Sequence, residues 1–247
     1  MRARFLPIGG LVVCTVLAAA LSTPAGALTP ETVAAIAPSF SPNRLGAPAA
    51  FTFTVHFSGG ERGVPSPVRR AVVQFPPGLR MNIPHLRTCT RAQLLARGAG
   101  ACPTSSLLGV GHALADVHAG AGVESEAAQV WAFLGPPQGV NPTLEILGQG
   151  YSPLVERVVI TAVVLPSQPP YGEELVMSVP PIPSIPYEPN ASTISFTITV
   201  GGRHHGRRSP NTVLLPTTCP AGGFPFATEF TYEDGTTSTT TATAPCP

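Results

Sequence analysis

Gly201 to Pro210 reads Gly-Gly-Arg-His-His-Gly-Arg-Arg-Ser-Pro. Arg203, Arg207 and Arg208, with His204 and His205, make this a candidate anion-binding loop. Guanidinium forks match carboxylate or phosphate oxygens, and the imidazoles add charge below about pH 6.5. The fitting partner is an acidic cell-wall polymer or another envelope component. The plainer alternative is a soluble loop between two strands of a charge-poor protein. His112, Asp116 and His118 share parity and would face one side of a strand. On an extended strand, however, the two histidines stand about 20 Å apart, too far to share an ion, so no metal site is expected. Among the glutamates, Glu145 and Glu156 lie nearest a candidate cleft for glycoside hydrolysis. That chemistry needs one carboxyl held protonated and another ionised at a fixed separation. Tyr151, Tyr171 and Tyr187 lie near prolines and could stack on sugar rings, or simply pack on those prolines.

Other catalytic signatures are missing from the chain. There is no Gly-x-Ser-x-Gly elbow, no His-Glu-x-x-His, no dinucleotide fingerprint and no calcium loop. All 14 basic residues are arginine, which excludes Schiff-base and P-loop lysine chemistry. They stand against 13 acidic residues, and near-zero net charge without a basic block argues against nucleic acid as a partner. No catalytic residue and no cofactor is therefore expected. Asn190-Ala191-Ser192 fits an N-glycan acceptor, and the Thr236–Thr243 run could carry O-glycans or simply make a good strand.

Compartment is legible at the N-terminus. Arg2 and Arg4 precede an apolar run from Leu6 to Leu21, and Ala25-Gly26-Ala27 is a small-x-small cleavage site. Residues 1–27 thus read as a secretory signal peptide, with an uncleaved anchor as the alternative. Cys14 lacks the small preceding residues of a lipidated cysteine. No later stretch is apolar and long enough to span a bilayer, so no membrane span is expected after cleavage. The remaining Cys89, Cys102, Cys219 and Cys246 are an even set in an exported chain and imply disulfides, with three connectivities open. Sequence proximity favours Cys89–Cys102 and Cys219–Cys246, the latter flanking a predicted hairpin with its tip at Asp234-Gly235.

The elements that must position these residues are mostly strands. Phe51, Phe53, Val55 and Phe57 alternate with Thr52, Thr54 and His56. The same period of two runs through Ile194–Val200 and Phe224–Tyr232. Val158–Leu165 is apolar on both faces and reads as a central strand. Weaker strands fit 71–75, 108–117, 129–134, 143–147, 175–179 and 236–244. Pro76-Pro77, Pro136-Pro137, Pro169-Pro170 and Pro180-Pro181 are expected in the gaps, where a missing N–H costs no ladder bond. Thr90–Arg97 looks helical, with Gly98 as its stop. The pattern predicts an all-β fold, an antiparallel β-sandwich with Pro/Gly-rich loops and one short helix near 90–97. Residues 28–247 are expected to form a single elongated sandwich domain, with two small sandwiches as the rival.

Short motifs run along this frame: Phe75-Pro-Pro-Gly-Leu79, Cys89-Thr-Arg-Ala-Gln-Leu94, Cys102-Pro-Thr-Ser-Ser-Leu-Leu-Gly109, Phe133-Leu-Gly-Pro-Pro137, Thr218-Cys219-Pro220 and Phe224-Pro-Phe226. The series resembles a family of secreted β-rich proteins of high-GC actinobacteria, some carrying the unit in tandem. The resemblance covers most of residues 50–247 and implies compartment and architecture. It also supports pairing Cys89 with Cys102. The family brings no assigned activity, so no catalytic residue is carried over. The resulting expectation is an exported, non-enzymatic protein that binds or builds at the cell envelope or outside the cell. A secreted glycan hydrolase and a carbohydrate-binding module are its rivals.

Overall fold

Alternating side chains translate into strands wherever one face can be buried. The computed structural model describes residues 31–83, 85–119, 122–204, 207–208 and 212–247; of Arg203, His204, Arg207 and Arg208 it describes the backbone alone. Residues 1–27, expected as a signal peptide, lie outside the described residues. In chain order the first strands are β1 (Val33–Ser41), β2 (Pro48–Ser58), β3 (Val68–Phe75) and β4 (Arg80–Met81). The helix α1 (Arg91–Arg97) follows, then β5 (Leu107–Ala119), β6 (Gly122–Gln138), β7 (Asn141–Gln149) and β8 (Arg157–Pro166). The chain continues with β9 (Glu173–Ser178), β10 (Ser192–Val200), β11 (Arg203–His204), β12 (Arg207–Arg208) and β13 (Val213–Leu214). It ends in β14 (Phe224–Tyr232) and β15 (Thr237–Ala244).

Among the described residues the fold is all-β and antiparallel, with one short α-helix and two disulfides, as the sequence predicts. Apart from the β11–β12 hairpin, the described strands belong to one sheet. Its order is β15-β14-β3-β9-β8-β7-β6-β5-β10-β2-β13-β4, with β1 paired to β2. The sheet curls until β1 lies alongside β15. There Asn43 Nδ2 donates to the Pro245 carbonyl at 2.8 Å. No backbone ladder among the described residues joins these two strands.

Curling turns the inward faces of distant strands toward each other. Phe51, Phe53, Val55 and Phe57 of β2 are buried, as are Phe224, Phe226, Phe230 and Tyr232 of β14. The Phe51 and Phe226 rings stack with centroids 5.6 Å apart, and Phe57 meets Phe230 edge-on at 4.9 Å. Such pairs contribute about 0.5–1.5 kcal/mol each beyond the area they bury. The outward face of the same strands is wet, where Thr52 and Thr54 hydrogen-bond Thr199 and Thr197 across β10.

The strand apolar on both faces, β8, is buried on both for a visible reason. Its inward residues Ala162 and Val164 join the main core. Its outward Val159 packs with Cys89, Leu94, Phe133 and Leu147 beneath the segment 89–106. Thr90 caps α1: its hydroxyl accepts from Gln93 N while Gln93 Oε1 accepts from Thr90 N. Gly98, at φ +70°, ends it and donates to the Leu94 carbonyl. The Cys89–Cys102 disulfide closes this flap, and the Cys219–Cys246 disulfide ties the segment before β14 to the tail after β15.

One proline expectation is corrected. Pro136-Pro137 lies within β6, where the register to β7 shifts between Gly135 and Gln138. The shift relieves that stretch of ladder bonds, so the missing N–H groups cost little.

Candidate binding cavity

The inward side chains differ in size around the curl. Those of β2 and β14 are aromatic, whereas Ala113 and Ala115 on β5, Ala128 and Ala132 on β6, and Gly148 on β7 are small. Where small residues face the interior, the opposing rings do not fill the space, and a cavity of about 270 Å³ remains. Aliphatic and aromatic side chains make most of its wall. Apolar cavities of about 150 Å³ already stay dry and admit aromatic guests, so this one is large enough for an organic ligand.

The two ends of the cavity differ in chemistry. At the end of the β5–β6 turn, Glu126, Gly150, Leu154 and Glu156 line it. The Glu126 side chain points inward because Glu126 pairs with Ala115, and cross-strand partners share a face. Glu126 is only 5% exposed, and its Oε1 has no hydrogen-bond partner. A Cβ placed on Gly150 would lie 2.8 Å from Glu126 Cδ and 3.1 Å from the Leu154 carbonyl oxygen. The absent side chain at position 150 is what leaves room for the carboxylate. The segment 179–191 crosses this end, contributing Ile182 and Ala191 to the wall. It is fastened by Ser184 Oγ accepting from His118 N at 3.1 Å, by a His118–Glu188 contact at 3.8 Å, and by Asn190 Nδ2 donating to Glu233. At the opposite end Arg80, Met81 and Glu173 line the cavity. Burial pushes the Glu173 carboxyl above its ordinary pKa, while the Arg80 guanidinium opposes the shift.

The residues singled out by sequence fall in several places. Glu145 is buried on the outward face of β7, where it accepts from the Thr161 hydroxyl at 2.8 Å. Burial raises its pKa, against the opposing Thr161 hydrogen bond and the Arg91 charge. Glu156 lies in the loop before β8, exposed at the rim of the cavity, so the two carboxylates considered for glycoside hydrolysis are not brought together. On β5, Asp116 accepts from Ser125 Oγ at 2.9 Å, and His118 faces Glu188. Tyr151 and Tyr187 project into solvent from loops at the β5–β6 turn end. Tyr171 sits in the β8–β9 loop at the other end, so the three rings form no common platform.

Of the candidate anion-binding loop, His205 lies outside the described residues. The backbone of the rest forms the β11–β12 hairpin, with Arg203 opposite Arg208 and His204 opposite Arg207. Glu126 was missed by the sequence reading, which began that strand at Gln129. Extending the parity of Val130 and Ala128 backward by one more step would have found it. No protein-family model, curated protein or solved structure matches the chain.

Proposed function

We propose that the chain is an exported, non-enzymatic binding protein that carries an apolar ligand inside its curled sheet, at the cell envelope or outside the cell. The apolar cavity is the observation that carries this reading. A volume of about 270 Å³ lined mostly by apolar side chains has room for an organic guest, and a guest that binds the folded chain alone stabilises it by mass action. Export is supported by the Arg2/Arg4 and Ala25-Gly26-Ala27 signals in the sequence and by two disulfides.

The test is titration of the mature protein with N-phenylnaphthylamine, a neutral dye that fluoresces in apolar surroundings. Saturable binding is expected, with a rise in Tm at saturating dye. Ala113→Phe, which projects a ring into the cavity, should abolish binding while circular dichroism stays unchanged. No saturable binding, or binding indifferent to Ala113→Phe in a folded variant, would overturn the proposal.

A second reading is favoured by the β11–β12 register. In the backbone register Arg203 pairs with Arg208 and His204 with Arg207, so the hairpin gathers basic residues at one place in a charge-poor chain. An anionic wall polymer fits that position. Retention on whole cell walls should then weaken with salt and with Arg203→Ala/Arg208→Ala; retention unaffected by both would end this reading.

A further inference from the structure

We infer that the ligand of the cavity is a single-chain amphiphile with a primary ammonium head, and that Glu126 holds that head. The inference rests on the apolar-cavity proposal and adds the chemistry of the polar end. Glu126 lines a mostly apolar cavity, is only 5% exposed, and has one carboxylate oxygen, lodged against Gly150, without a hydrogen-bond partner. A buried charge left this way is costly, and it persists in folded proteins when an opposite charge or a donor comes to meet it.

The groups around it narrow the choice. This end is lined by the Glu126 carboxylate and by Thr193, whose hydroxyl can donate or accept, with the Leu154 carbonyl beside Gly150 and Glu156 exposed at the rim. Among the described residues, the guanidinium lining the cavity is that of Arg80, at the opposite end. A carboxylate or phosphate head at Glu126 would set oxygen against oxygen with like charge. An alcohol offers one donor. An ammonium offers three donors and the compensating charge, and charge-assisted hydrogen bonds are the stronger kind. The apolar walls running from this end toward Phe51 and Val200 then take the alkyl chain. Gly150 is the residue that lets the Glu126 carboxylate take this position, since any side chain there would overlap it.

The experiment is displacement of bound N-phenylnaphthylamine by decylamine, decanol and decanoate at neutral pH, each below its micellar concentration. Decylamine should compete at least about tenfold more tightly than decanoate or decanol, the margin expected of one charge-assisted hydrogen bond. Glu126→Gln, nearly isosteric, should remove that margin, with each competitor scaled to the variant's own measured dye affinity. Gly150→Ala should narrow it by displacing the carboxylate. Decanol or decanoate equalling decylamine, or a margin that survives Glu126→Gln, overturns the ammonium inference and leaves the apolar cavity standing. Failure of the dye itself to bind overturns the cavity reading and this one together.

Discussion

Two buried glutamates show how the same residue type takes different roles on the two faces of one sheet. Glu126 turns inward with an oxygen unpaired, whereas Glu145 turns outward beneath the 89–106 flap and is held by Thr161. Because burial raises the Glu145 pKa in the folded chain, folding favours its protonated form. Its contribution to stability is complete at pH values below the unfolded carboxyl's own pKa, and is lost as pH rises through the folded value. Glu145→Gln is never charged, keeps an oxygen for the Thr161 hydroxyl, and escapes the desolvation. Its Tm should therefore exceed that of the parent at neutral pH, with the gap closing as pH falls into the ordinary carboxylate range. A variant no more stable than the parent at neutral pH, by thermal denaturation across that range, would show that the Arg91 charge and Thr161 outweigh burial. At this scale the sequence was a poor guide. Glu145 and Glu156 are eleven positions apart with nothing in their neighbours to say that one is buried beneath the 89–106 flap and the other exposed at the cavity rim.

Elements were far more legible than sites. Strands with large inward residues, β2, β10 and β14, were read almost to their ends because phenylalanine and isoleucine alternate with threonine. The Asp234-Gly235 tip is where expected, with Gly235 at φ +84° and Asp234 Oδ1 accepting from Thr236 N. The strand β1 went unread because its inward positions, Ala34, Ile36, Pro38 and Phe40, mix small residues and a proline with strand formers. The two-residue strands β4 and β13 have no period to detect. A different limit applies to glycines, whose meaning comes from what lies opposite. A Cβ on Gly111 would run into the backbone of Thr197 and Ile198 on β10, whereas one on Gly148 meets nothing within 4 Å because it faces the cavity. Gly111→Ala should cost about 1–3 kcal/mol by overpacking. Gly148→Ala should be neutral or stabilise by up to about 1 kcal/mol, through the unfolded chain. Denaturant midpoints measured side by side check both, and equal midpoints would mean β5 and β10 can separate without cost.

For the molecule as a whole, the cysteine pairing was readable and the curl was not. Alternation tells which side chains point inward but not which opposite strand they meet, so the contrast between an aromatic β2–β14 wall and an alanine-lined β5–β6 wall emerged only with the topology. The two disulfides close loops with sequence separations of 13 and 27, each worth about 3 kcal/mol in the chain-entropy account. At about 2–4 °C per kcal/mol for a chain of this size, full reduction should lower Tm by roughly ten degrees or more. Calorimetry with and without reductant measures it, and an unchanged Tm would mean the bridges constrain nothing. The approach of β1 to β15 carries a consequence in time rather than in space. Strands from opposite ends of the described chain finish the curl, so their contact spans nearly the whole described sequence and carries the loop-closure cost of that span. Pairings of such long sequence separation are the slow kind to assemble, and the interior takes its closed shape only once they are made.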